Sequence, residues 1–163
     1  MKKKTVLIHS NFTRAFTGFG KNKKNIMRYL YDTGKYNLIE LANGIEWEAP
    51  STKLLPWTCR GSLPKPQEMQ GLTPEQQREQ GYGSKLVDRA IKEFKPDVYI
   101  GMEDIWAFNG YHTKPWWNKV NTMVWTTLDS LPILPQAIEY APKIKNYYVW
   151  ASFAEKAMNE LGY

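Results

Sequence analysis

Lys4-Thr5-Val6-Leu7-Ile8-His9-Ser10, followed by Asn11-Phe12-Thr13-Arg14-Ala15-Phe16-Thr17-Gly18-Phe19-Gly20, decides the fold. A short apolar run ends in polar residues, a loop with two glycines follows, and residues 21–32 then read as a helix. The unbroken apolar centre, Val6-Leu7-Ile8, implies burial on both faces, as in a parallel sheet. In an open α/β sheet this junction is where ligands bind. The carboxyl end of the strand and the first amides of the helix face one crevice.

Working outward, Ile26, Tyr29 and Leu30 give the first helix an apolar stripe, with Gly34 as its stop. A second strand is expected over residues 36–42, closed by Asn43-Gly44. Prolines and glycines break the pattern over residues 45–73, with room for a short strand within 55–61. Such a stretch is either functional or a surface insertion. Thr73-Pro74-Glu75-Gln76 has the N-cap, proline and acidic first turn of a helix start. Residues 84–94 place Leu86, Val87, Ala90, Ile91 and Phe94 on one helical face. Three more strands follow, at 98–102, 122–127 and 147–151. A short helix over 134–140 separates the last two. Ser152 is expected to cap a final helix that turns Phe153, Ala154, Ala157, Met158 and Leu161 inward. Strands alternating with helices predict one α/β domain spanning residues 1–163. The expected form is a Rossmann-like three-layer sandwich with a mostly parallel central sheet.

Composition supports a folded domain. The chain has 163 residues, 42% hydrophobic and 23% charged, which argues against disorder. Aromatic residues make up 14%, enough to fill a core and line a cleft. The net charge of +6 is either ordinary surface lysine or an attraction to something anionic. Lys2, Lys3, Lys4, Arg14, Lys21, Lys23, Lys24 and Arg28 all fall in the first strand–loop–helix unit, which favours an anion near the first loop. Cys59 is the only cysteine, so no intramolecular disulfide forms and a reducing, cytoplasmic setting is the simplest expectation. The apolar run after Lys4 is too short for a secretory leader, and no stretch reaches the length of a membrane span.

Several constellations bear chemistry. Gly18-Phe19-Gly20 invites comparison with the dinucleotide fingerprint, and Glu40 lies about where a ribose-binding acid would. Lys23 occupies the place of the third glycine, however, and seven residues separate Ser10 from Gly18, so a nicotinamide reading ranks low. Glu103-Asp104 and Asp129 close two successive strands at the edge that holds Ser10. Carboxylates there either bind sugar hydroxyls, act as a base or hold a metal, or they cap the next helix or pair on the surface. His9 either lines the crevice or is a satisfied buried histidine, and His112 reads as structural. Trp106, Tyr111, Trp116 and Trp117 form either a ligand platform or core. Two histidines and one cysteine, so spaced, match no structural zinc pattern, and no metal or other cofactor is expected.

Three stretches together resemble a known family. They are the opening strand with Thr17-Gly18-Phe19-Gly20 and its helix, then Lys95-Pro96-Asp97-Val98-Tyr99-Ile100-Gly101, then Val124-Trp125-Thr126-Thr127-Leu128-Asp129-Ser130-Leu131-Pro132. The last continues through Val149-Trp150-Ala151-Ser152-Phe153 to Leu161-Gly162-Tyr163. In order and spacing the chain resembles the N-terminal domain of a GT-B glycosyltransferase of group 1, family 4-like.

The resemblance implies an acceptor-side domain whose crevice takes a carbohydrate or lipid-linked acceptor. It implicates Asp129 in catalysis, and Asn11, Gly18, Phe19, Gly20, Glu103, Asp104, Trp106 and Ser130 in substrate binding. The glycine loop would also reach the phosphates of a nucleotide-sugar donor. That donor is held mainly by a C-terminal domain for which these residues have no counterpart. The early lysines would suit peripheral membrane contact, and no specific nucleic-acid partner is implied. The expected role is acceptor binding and a contribution to sugar transfer, with the domain inactive by itself. The alternative is a stand-alone, non-catalytic α/β module for a sugar or phosphate-bearing ligand.

Overall fold

The computed structural model describes residues 2–128 and 130–163. Among them run β1 (Lys4–Asn11), β2 (Tyr36–Glu46), β3 (Thr58–Leu63), β4 (Val98–Met102), β5 (Asn121–Thr126) and β6 (Tyr147–Val149). The helices are α1 (Gly18–Asp32), α2 (Pro74–Gly81), α3 (Leu86–Phe94), α4 (Pro135–Tyr140) and α5 (Ser152–Glu160). The strands form one sheet in the order β3-β2-β1-β4-β5-β6, and every pairing is parallel. The architecture is a Rossmann-like three-layer sandwich.

β1 is central because its side chains have apolar partners on both sides. Val6 and Ile8 pack with Met27, Ile26 and Leu30 of α1. Leu7 joins Val87, Ala90 and Ile91 of α3, together with Tyr99, Phe108, Tyr111, Trp116 and Trp117. α4 completes that layer through Ala137 and Tyr140. The chain builds β2 and β3 on one side of β1, then crosses to build β4, β5 and β6 on the other. The strand order therefore reverses between β1 and β4, and the crevice opens there.

Local departures from expectation have local causes. β2 runs on to Glu46 because Gly44 takes φ +85° and shifts the register against β3 instead of ending the strand. β3 begins later than expected, and a Cβ at its Gly61 would overlap the Ile45 and Glu46 carbonyls, so only glycine admits the bulged end of β2. In α1 the buried positions are Gly20, Lys23 and Met27, and Tyr29 is 72% exposed. Ser152 is the first residue of α5, not its cap, and Ala154 and Met158 form the buried stripe while Phe153 and Leu161 stay exposed. Thr73 caps α2 with Pro74 at its first position, as expected, and Gln76 bonds back to the Thr73 amide to complete a capping box. No helix among the described residues is long and apolar enough to cross a membrane.

Candidate functional site

The two faces of the sheet carry different polar chemistry beneath the crevice. On the α1 face, Lys23 and Glu40 form a fully buried ion pair at 2.9 Å. The Lys23 ammonium also donates to the Ser10 carbonyl at 3.0 Å. Glu40 accepts from the Thr13 amide at 2.9 Å, the Thr13 hydroxyl at 3.1 Å and the Trp57 indole at 2.7 Å. Burial pulls the Lys23 pKa down and Glu40 opposes it. Glu40 is therefore committed to the interior and leaves no oxygen for a ribose. The lysine in place of the third fingerprint glycine and the acid on β2 are one structural device.

On the α3 face, a chain of hydrogen bonds runs outward to the crevice. The Tyr99 hydroxyl donates to His9 Nδ1 at 2.9 Å. His9 Nε2 donates to Asn43 Oδ1 at 2.8 Å, a pattern that places the imidazole proton on Nε2. The Ser62 hydroxyl donates to the same oxygen. The Asn43 amide nitrogen donates to Glu103 Oε1 at 2.9 Å. Tyr111 lies parallel to the imidazole, at 6.4 Å. Gly83, at φ +83°, presses its backbone onto this chain, and a Cβ there would sit 2.7 Å from His9 Nε2. His9 is thus the satisfied buried histidine of the two readings. Burial lowers its pKa to about 3, so it is neutral.

Glu103 ends the chain. It is buried, and that burial raises its pKa to about 7 against the opposing Asn43 hydrogen bond, the Lys23 charge and the Asn11 backbone amide. Its neighbour Asp104 is half-buried and accepts from the Thr127 hydroxyl at 2.6 Å. Beside them stands half-buried Trp106. The Arg78 guanidinium of α2 stacks over its ring at 3.9 Å, and the Tyr82 ring meets it edge-on at 4.7 Å. The Tyr82 hydroxyl pKa is raised first by burial, then by Glu103 and Asp104, and lowered by Arg78. These four groups therefore share one neighbourhood.

Of the expected site residues, the structure gathers Asn11, Glu103, Asp104 and Trp106 at the β1/β4 edge. The Asn11 side chain donates to the Thr17 hydroxyl at 3.0 Å and braces the loop. Gly18 is the exposed first residue of α1, with open space around it. Gly20 is buried with the Phe12 and Ala15 carbonyls 2.8 Å from where a Cβ would be, so glycine here lets α1 start tight against the loop. Phe19 packs edge-on against Trp150 at 5.7 Å. Ser130 is exposed, and Asp129 lies outside the described residues. Tyr111, Trp116 and Trp117 are core, which leaves Trp106 as the half-exposed aromatic of the four.

Nothing in the local sequence marks Asn43, Ser62, Tyr82 or Arg78 as site residues. Asn43 reads as a turn residue, and Tyr82 hides between Gly81 and Gly83. A cavity of about 520 Å³ between β6 and α5, lined in part by Ile144, Tyr147 and Met158, lies two strands away from β4. Among the described residues no cluster of histidine, cysteine and acidic side chains can hold a metal ion. Neither a protein-family model nor a curated protein matches the chain.

Proposed function

We propose that the chain is the acceptor-side domain of a GT-B glycosyltransferase, and that its crevice holds a carbohydrate hydroxyl against Glu103 and Asp104. One observation carries the reading. A carboxyl group at the β1/β4 switch point is pinned by two amide donors and titrates at about 7, where it both accepts and releases protons. Asp104 supplies a second acceptor for sugar hydroxyls, and Trp106 an apolar surface for a sugar ring. In this reading Glu103 orients the acceptor hydroxyl and takes up its proton as the new bond to the sugar forms and the bond between the sugar and the donor phosphate breaks, the nucleotide leaving with that bond's electrons. Transfer itself needs a second, donor-binding domain, towards which the Gly18 amide at the start of α1 would offer charge stabilisation for the donor phosphates.

Ligand-observed NMR on the chain, with a panel of monosaccharides, disaccharides, uridine diphosphate and NAD, tests this. The expected result is saturable sugar binding with Kd of roughly 1 mM, an interaction of about 4 kcal/mol. Glu103→Gln and Trp106→Ala should each weaken it at least tenfold. Tight NAD binding, or no response to any sugar, overturns the reading. In a complete transferase Asp129→Ala should abolish turnover, measured as sugar transferred per enzyme; unchanged turnover removes that residue from catalysis.

A further inference from the structure

An asparagine amide has two ends of similar shape and opposite chemistry, so the way round it sits decides what it does to a neighbour. Asn43 of β2 is in register with Asn11 of β1, and Ser10 is in register with Met102 of β4. That register lines up Asn43, Asn11 and Glu103 along one row, on neighbouring strands about 4.8 Å apart. The Asn43 side chain therefore reaches across β1 to meet Glu103.

Two donors fix the orientation of this amide. Its oxygen accepts from His9 Nε2–H at 2.8 Å and from the Ser62 hydroxyl. His9 carries its proton on that nitrogen because the Tyr99 hydroxyl donates to the other one. Burial holds the Tyr99 pKa well above the usual phenol value, so the hydroxyl keeps its proton. Turned over, the Asn43 amide would set its N–H groups against both donors and its oxygen against a carboxylate. The orientation that remains aims Nδ2 at Glu103 Oε1, 2.9 Å away. Asn43, His9, Ser62 and Tyr99 are all buried, so water does not compete for these bonds.

Among the described residues no other side chain hydrogen-bonds to Glu103. The charged and titratable groups that act on it or feel it are Lys23 of α1, its chain neighbour Asp104, Tyr82 after α2, and Tyr99 and Tyr111 behind the crevice. Lys23 is spent on Glu40, Asp104 is a like charge, and the three phenols are neutral. A lysine in place of Asn43 would repeat the Glu40 pair and lock the carboxylate. An apolar residue there would leave the carboxyl protonated. A neutral donor does neither.

We infer that Asn43 is the positioning residue of the crevice: its amide, turned one way by His9 and Ser62, aims the Glu103 carboxyl and favours the form that accepts a proton. The role in sugar binding rests on the reading proposed above; the effect on the carboxyl does not. Carbon-detected NMR of the labelled chain, titrated without sugar, tests the latter. In the parent one Asn43 Nδ2 proton should shift with the same midpoint as the Glu103 carboxyl carbon, about 7. In Asn43→Leu, checked for folding by circular dichroism, the Glu103 midpoint should rise by about 1 pH unit or more. Ligand-observed NMR with the same monosaccharides and disaccharides then reads the role in binding. Asn43→Leu should bind at least about tenfold more weakly at pH 7 and recover in part above about pH 8.5, as Glu103 ionises. An unchanged Glu103 midpoint in Asn43→Leu overturns the proposal, as do Asn43 amide protons that ignore pH in the parent. Weakening by one factor at every pH overturns it too, because it makes Asn43 structural only. If the parent binds no sugar, the sugar reading falls and the titration alone decides whether Asn43 positions Glu103.

Discussion

Glu40 and Glu103 are both buried carboxylates at the sheet's carboxyl half, on opposite faces, and their surroundings differ in kind. Glu40 is met by a cation, an indole, a hydroxyl and a backbone amide. Glu103 is held by neutral amides, and the cation that lowers its pKa, Lys23, is paired with Glu40 instead. The first arrangement turns a charge into structure. The second leaves a carboxyl group that responds to pH and to whatever enters the crevice. Burial alone is therefore no mark of a site; burial without a direct ion pair, at the open edge of the sheet, is.

The strongest way to break this comparison is Glu40→Ala. It strands the Lys23 ammonium in the interior and should cost about 3–5 kcal/mol, read from urea denaturation. Lys23→Met with Glu40→Gln should recover most of that loss, because the glutamine oxygen still accepts from Thr13 and Trp57. A cost below about 1 kcal/mol for the single change would show that the pair is not structural.

Glu103→Gln should do the opposite. The folded pKa of Glu103 lies above its unfolded value, so the folded state binds the extra proton between about pH 4.5 and 7. Stability from this group is present at low pH and is lost as pH rises through that range. The glutamine variant should be more stable than the parent by about 1–3 kcal/mol at pH 8, with the gap closing towards pH 4.5. His9 works in the other sense. Its folded pKa is depressed to about 3, so stability is lost as pH falls below about 6.5. The two slopes offset each other in the parent between about pH 4.5 and 6.5. In Glu103→Gln the His9 slope is uncovered, about 1 kcal/mol per pH unit at most. Melting the two proteins across pH 4–8 reads both effects, and parallel profiles would place Glu103 with Glu40 as a structural group.

The smallest effect sharpens the comparison from the ligand side. Trp106→Ala removes a half-buried ring held by Arg78 and Tyr82, and should cost about 1 kcal/mol of stability. Trp117→Ala, in the core, should cost about 3–5 kcal/mol. Both are measured by thermal melts, and near-equal losses would return Trp106 to the core.

Most of the sheet was legible because its central strands are contiguous apolar runs between polar stops. The N-cap at Thr73 was legible because its signal is local. The phase of α1 was not. A lysine reads as outward, so the sequence puts the stripe through Tyr29, yet Lys23 is inward. The run of β2 past Asn43 depends on the bulge at Gly44 and on Gly61 of the next strand, a fit between segments that neither displays by itself. Within the site, Glu103 and Asp104 are legible from their place at a strand end, and Trp106 from the aromatic connection that follows. The chain behind Glu103 was not, because His9, Asn43, Ser62 and Tyr99 come from four strands and meet only in the folded sheet.

The central position of β1 also sets a timetable. One of its edges is taken by β2, whose first residue, Tyr36, pairs with Lys4. The other edge waits for β4: Thr5 bonds to Asp97, 92 residues later in the chain. At a synthesis rate of about 5–20 residues per second, that second edge stays unpaired for roughly 5–20 s as the polypeptide leaves the ribosome. Through that interval Val6, Leu7 and Ile8 lie along an open strand edge, the feature most prone to pair with the wrong chain. The residues that make β1 the spine of the finished sheet make it the vulnerable part of the nascent one.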